Sequence, residues 1–183
     1  MRTRWLLAVA GVIGWAGLAG LAACGHPPAE VPVSADGVPG VTGTVVSIAD
    51  GDTLTVTLGD GTKAKVRLLG IDAPEVAHSG GTAECGGDAA AARLGELAPV
   101  GSAVTLVADT AAADQDRYGR WLRYIVTPTT ADVGLTLIEE GLVEAWIPSR
   151  QPEPDRWADY TAATDRAAAA GTGSWATCET LGR

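Results

Sequence analysis

Residues 41–69 read VTGTVVSIADGDTLTVTLGDGTKAKVRLL, and this stretch decides the fold. Val41–Ile48 and Thr53–Leu58 are dense in valine and threonine with partial alternation, the composition of half-buried strands. Ala49-Asp50-Gly51-Asp52 between them is a turn, and Gly59-Asp60-Gly61 is another, leading into a strand over Lys63–Leu69. Turns this short make the three strands an antiparallel meander. Towards the C-terminus, Ala89–Leu97 is alanine-rich and helix-prone, and Pro99 and Gly101 end it. Ser102–Ala108 and Arg120–Val126 supply two more strands. Asp132 opens a helix whose apolar stripe is Val133, Leu137 and Ile138, with Gly141 as its stop. Pro154–Ala170 is a third helical stretch, capped near Gly171. Five strands with one helix after the third and two more behind predict an α+β fold, an OB-type five-stranded barrel with three helices.

Towards the N-terminus, Arg2 and Arg4 precede an apolar run from Trp5 to Ala23, so residues 1–23 read as a secretory signal. Leu21-Ala22-Ala23-Cys24 resembles the lipobox of bacterial lipoproteins. That resemblance implies that Cys24 carries a diacylglyceryl group, becomes the first mature residue and anchors the protein to the membrane. An uncleaved signal anchor is the alternative, since 19 apolar residues can just span a bilayer. Under both readings the rest of the chain is extracytoplasmic. Residues 24–40 form a Pro/Gly-rich spacer in which His26 is solvated. The folded domain is expected over 41–178, with a tail over 179–183. With Cys24 committed to lipid, Cys85 and Cys178 remain as a pair in an oxidising compartment, where a disulfide is the natural state and two free thiols the alternative.

Composition narrows the chemistry. The 183 residues hold 13 Lys+Arg against 22 Asp+Glu, a net charge of −9, which argues against a generic nucleic-acid binder with a broad basic face. Two histidines and three cysteines exclude a multi-histidine zinc hydrolase, an all-cysteine zinc site and an iron–sulfur protein. There is no Walker-type phosphate loop and no Gly-x-Ser-x-Gly elbow. Carboxylates and arginines are left to act.

They gather in three clusters at strand ends. Asp50-Gly51-Asp52-Thr53 puts two carboxylates two residues apart in a turn, a spacing that suits a hard cation and is also plain turn chemistry. Arg67 sits inside an apolar strand, where a guanidinium needs an anion, and Gly70 and Pro74 bend the following chain so that Asp72 and Glu75 stand at the strand's end. The bland reading is a structural pair between Arg67 and one of those carboxylates. Asp116-Arg117-Tyr118-Gly119-Arg120, continuing to Arg123, is the densest positive cluster of an acidic chain. It can grip phosphate or be a salt-bridged turn. The spacing from Asp114 to Gly119 imitates an EF-hand loop but fails at Tyr118 and Ile125. A cation-suited carboxylate pair with two arginine sites is the set of parts that hydrolyses a phosphodiester.

In this order the three motifs resemble those of the staphylococcal nuclease (thermonuclease) family, over about Val41 to Cys178. Gly141-Leu142 and Gly173-Ser174-Trp175 look family-like too. The resemblance implies a Ca²⁺-dependent phosphodiesterase on an OB-fold that cleaves DNA and RNA with little sequence preference. Asp52 and Asp72 would bind Ca²⁺ directly with the backbone carbonyl of Ala73, and Asp50 would act through water in the outer shell. Glu75 would orient or deprotonate the attacking water. Arg67 and Arg120 would clamp the phosphate, with Tyr118 and Arg117 as substrate contacts. The sequence departs from the staphylococcal enzyme at Ala73, where that enzyme has threonine. It departs again over Val76–Asp88, where a lysine-rich loop is replaced by one carrying Gly, Ala, Cys85 and His78. Trp146 follows the second helix where the family carries aromatics, either stacking on a base or filling the core. The expected partner is DNA or RNA, and the expected state is a monomer. The alternative function is a non-catalytic nucleic-acid- or protein-binding OB-fold module of the cell envelope.

Overall fold

The computed structural model describes residues 40–77 and 81–182. The expected signal over 1–23, the expected lipidation at Cys24, the expected spacer with His26 up to residue 39, and His78 lie outside the described residues. In chain order the elements are β1 (Gly40–Ile48), β2 (Thr53–Leu58), β3 (Lys63–Leu68), β4 (Ile71–Asp72), α1 (Gly87–Leu97), β5 (Ala103–Val107), β6 (Trp121–Val126), α2 (Val133–Glu139), β7 (Glu144–Ala145) and α3 (Trp157–Ala170). A short 3₁₀ turn follows at Gly173–Ala176.

The five long strands close a barrel in the order β1-β2-β3-β6-β5, and three helices pack around it, so the chain has the OB-like α+β fold. Strand β1 serves two neighbours. Gly40–Thr44 pairs with β5, while Gly43–Ile48 pairs with β2 across a bulge between Val45 and Ser47 that bends the strand and lets the barrel close. Inward positions are apolar: Val45, Leu54, Val56, Val66, Leu106 and Ile125 are all buried. Burial of each such side chain is worth about 1.5–3 kcal/mol.

The β3–β6 pairing is parallel, unlike the other barrel pairings, and sets Arg67 beside Leu122. A parallel neighbour requires a long crossover, here α1 and β5. Its effect is to bring the C-terminal end of β3 next to the start of β6, and so the second charged cluster next to the third. Beyond β3, β4 pairs with β7, Ile71 opposite Ala145 and Asp72 opposite Glu144. Two-residue strands have no readable period, and this pair was not expected from the sequence.

Helix α1 buries Ala90 and Leu94, four residues apart on one face, against the carboxylate turn. A Cβ on Gly51 would stand 2.5 Å from the Ala90 Cβ and 2.8 Å from the Ala73 Cβ, so Gly51 is required by close packing and not only by turn chemistry. At the far side, Gly141 and Gly173 meet backbone to backbone: a Cβ on either would lie 2.1 Å from a carbonyl oxygen of the other segment. That contact explains why both glycine motifs stand out in the sequence.

A buried polar network joins the helices to the barrel. Asp132 caps α2, accepting from the Leu135 amide at 3.0 Å, and also accepts from Arg156 Nη1 at 2.6 Å and from the Tyr160 hydroxyl at 2.9 Å. The Tyr124 hydroxyl donates to Asp109 at 2.6 Å, and Asp109 also accepts the Asp155 amide at 2.7 Å. Burial pushes the Tyr160 and Tyr124 hydroxyls well above their ordinary values, so both act as neutral donors. Cys85 and Cys178 form a disulfide, closing a loop of 93 residues between the approach to α1 and the end of the 3₁₀ turn. Beyond it Leu181 is fully buried, so apolar packing continues into residues 179–182.

Candidate active site

The first two charged clusters merge into one buried unit. The Arg67 guanidinium bridges two carboxylates: Nη1 pairs with Asp52 Oδ2, and Nη2 donates to Asp72 Oδ1 at 2.5 Å and to the Ile71 carbonyl at 3.0 Å. Arg67, Asp52 and Asp72 are 9%, 2% and 5% exposed. Asp52 is further held by the Thr53 hydroxyl at 2.9 Å and the Ala73 amide at 2.9 Å, while Asp50 Oδ1 accepts the Asp52 amide at 3.1 Å. Burial pushes the Arg67 guanidinium down from its ordinary value, and the Asp72 charge pulls it back. Arginine remains protonated even so.

The third cluster is an open turn. Asp116 Oδ1 accepts the amides of Tyr118 at 2.8 Å and Arg120 at 2.9 Å, and Asp116 Oδ2 accepts Arg120 Nε at 2.6 Å. Tyr118 is 68% exposed, and its ring faces two guanidinium carbons, Arg117 at 4.7 Å and Arg120 at 5.5 Å. Such cation–π contacts at exposed sites contribute about 0.5–1 kcal/mol each. Arg123 does not join them. It is buried on β6, donates to the Asp114 carbonyl at 3.0 Å and carboxylate at 2.5 Å, and stacks over Trp121 at 4.8 Å. The positive cluster of the sequence therefore splits into two arginines at the surface and one that holds the hairpin.

A cleft of about 470 Å³ opens between these units. Its lining includes Arg67, Arg117, Tyr118, Arg120, Trp146 and parts of the segment that follows Trp146 up to Pro154. Trp146 is half-buried, its amide donates to the Gly70 carbonyl at 2.9 Å, and the residue lines the cleft instead of joining the hydrophobic core. Among the described residues the lining holds no lysine, and its positive charge comes from three arginines. Glu75 is exposed and does not line the cleft. Its backbone pairs instead with Glu84, which donates to the Glu75 carbonyl at 2.8 Å and accepts the Glu75 amide through its carboxylate at 2.9 Å. One carboxylate near the site was missed by the sequence reading. Glu144, half-buried opposite Asp72, is raised above its ordinary value by burial and then by the Asp72 charge. Its proximity depends wholly on the β4–β7 pair.

The donor chemistry around Asp52 and Asp72 is all oxygen, which suits a hard cation. Among the described residues, no group of three or more His, Cys, Asp or Glu side chains could hold a metal ion. Asp52 and Asp72 would therefore need the Ala73 carbonyl and water to complete a coordination shell, and Arg67 would have to release them.

A closed OB-like barrel with two arginine sites facing one cleft is the architecture of a phosphate-ester or nucleic-acid module. Residues 65–177 match the family of staphylococcal nuclease homologues, more than half the chain, and the protein belongs to that family. The match includes Arg67, Asp72, Ala73, Glu75, Arg117, Tyr118 and Arg120; the turn with Asp50 and Asp52 precedes it. No curated protein matches the chain significantly. The family makes it a nuclease-like or nucleic-acid-binding module.

Proposed function

We propose that this protein is a Ca²⁺-dependent nuclease that hydrolyses DNA, and RNA as a second substrate, with little sequence preference, outside the cytoplasm. The observation that carries the reading is the convergence of Arg67, Arg120 and Tyr118 on one cleft beside the buried Asp52–Asp72 pair. Bound between Asp52, Asp72 and the Ala73 carbonyl, Ca²⁺ would polarise the phosphoryl oxygen and offset charge developing there. Arg120, and Arg67 once it has released Asp52 and Asp72, would grip the scissile phosphate, where their charges count for most as the pentacoordinate state gains negative charge. Tyr118 flanks the phosphate or its sugar, and Arg117 holds the Tyr118 hydroxyl at 2.6 Å. Glu75, which lies outside the cleft lining, would have to turn toward it to take or orient the proton of the attacking water, and Asp50 would support a bound ion through water.

Two observations support the compartment. Leu21-Ala22-Ala23-Cys24 stands at the end of the apolar leader, and a disulfide joins Cys85 to Cys178. The reading is a protein held to the outer face of the cell membrane by lipid on Cys24, working as a monomer. The alternative, a non-catalytic binding module, draws on one feature: Arg67 is already satisfied by two carboxylates. A cleavage assay separates them. Purified protein should degrade single-stranded DNA with Ca²⁺ and stop with chelator. Binding without cleavage under every metal condition would establish the module instead.

A further inference from the structure

We propose that Asp116 is a positioning residue that aims the Arg120 guanidinium into the cleft and acts on substrate only through it. This rests on the nuclease reading for its kinetic consequence, but its structural basis stands alone. The two carboxylate oxygens of Asp116 have separate tasks. Oδ1 closes the turn by accepting the Tyr118 amide at 2.8 Å and the Arg120 amide at 2.9 Å. The Asp116 amide donates to the Arg120 carbonyl at 3.0 Å, and Gly119, at φ 77°, takes the left-handed conformation that lets the chain reverse there. Oδ2 is left for the side chain and accepts Arg120 Nε at 2.6 Å.

That division matters because arginine is long and has many rotamers. A carboxylate on Nε fixes the plane of the guanidinium while leaving its terminal edge, Nη1 and Nη2, without hydrogen bonds among the described residues. This edge is the one that binds a phosphate bidentately. Arg120 lines the cleft together with Arg67, and the charge of Arg120 is felt at Arg67. Tyr118, whose ring lies 5.5 Å from the Arg120 guanidinium carbon, backs the same group from the solvent side. The grip is thus assembled before substrate arrives, and ordering entropy is not lost again on binding. The Asp116 carboxyl is suited to this: burial raises it, but the bonds from Arg120 and the turn amides outweigh that and hold it below the ordinary carboxylate range.

Asp116→Asn separates the two tasks, because the amide oxygen can still close the turn while its NH₂ faces the Arg120 Nε–H, donor against donor. The first test reads the guanidinium itself in the full-length protein. The Arg120 Nε–Hε resonance, assigned by its loss in Arg120→Lys, should be distinct from mobile arginines and exchange with water at least about tenfold more slowly than they do. In Asp116→Asn it should merge with them; an unchanged resonance overturns the proposal. The second test is kinetic, on single-stranded DNA with Ca²⁺. In Asp116→Asn kcat should fall about 10–100-fold with KM changed less than about threefold, and the double variant with Arg120→Ala should be no slower than Arg120→Ala alone. Multiplying losses, or an unchanged kcat, would overturn it. Asp116→Glu, which keeps a carboxylate for Nε, should stay within about threefold of wild type; a loss equal to that of Asp116→Asn would assign the effect to the turn. If wild-type protein does not cleave DNA, the nuclease reading fails and the resonance test alone decides the role of Asp116.

Discussion

Arg67 and Arg120 lie in motifs that look alike on paper, each an arginine within five residues of a carboxylate, yet the structure gives them opposite situations. Arg67 is 9% exposed, shared between two carboxylates and a carbonyl, and integral to the packing of β3 against β4 and the first turn. Arg120 is partly exposed, holds one carboxylate through Nε and lines the cleft with its terminal edge free of hydrogen bonds among the described residues. One arginine belongs to the fold as much as to the site; the other belongs almost wholly to the site. The difference is physical: a charge taken from water is held only if it is saturated with partners, whereas a partly solvated charge can keep donors in reserve.

The largest expected effect breaks the buried member. Arg67→Met leaves Asp52 and Asp72 facing each other without a cation and should destabilise by about 3–5 kcal/mol in denaturant unfolding. Millimolar Ca²⁺ should restore part of that loss while leaving the wild-type midpoint less changed. Equal Ca²⁺ response in both proteins would count against a cation at these carboxylates. Next, Arg120→Ala should lower cleavage by about 10²–10³-fold while unfolding changes by less than about 1 kcal/mol. A stability loss comparable to that of Arg67→Met would erase the contrast between the two sites.

A smaller effect concerns acid. Asp109 is raised by burial but lowered more by the Tyr124 hydroxyl and the amides of Asp155, Ala111 and Ala112, and its folded value lies below the ordinary one. Its contribution is therefore full above the unfolded value and is lost as pH falls through the folded one. The Tm advantage of wild type over Asp109→Asn should be complete above about pH 5 and close below about pH 4. Smallest is the response to salt. Three arginines in an acidic molecule predict a slope of about −2 for log affinity of single-stranded DNA against log salt, at about −0.7 per phosphate contact. A much steeper slope would require a basic surface beyond the cleft.

Much of this is legible in the sequence alone. The five barrel strands and three helices follow from valine–threonine runs, short Asp/Gly turns and glycine stops, since these are local preferences that the tertiary fold leaves undisturbed. The exceptions are instructive. The β4–β7 pair is too short to carry a period, so Glu144 beside Asp72 was invisible. Sequence distance groups Arg123 with Arg117 and Arg120, but strand alternation carries it inward to Asp114. In the sequence Gly51 has only turn chemistry to explain it, whereas helix α1, some forty residues on, is what forbids a side chain there. By sequence Leu181 falls in the expected tail, and nothing in so short a segment signals that it packs inside.

The sequence by itself determined the element order, the disulfide partners available and the short list of carboxylates and arginines from which the candidate site is built. Hydrophobic period, turn residues and residue type are local properties, and they are written along the chain. Only the tertiary structure decided which of those charges meet. The parallel β3–β6 pairing, made across a crossover of some fifty residues, sets Arg67 beside the Arg120 turn. Burial then gives Arg67 two carboxylates and leaves Arg120 its open edge. Such choices depend on long-range register and on access to water, and neither is carried by any one segment of the chain.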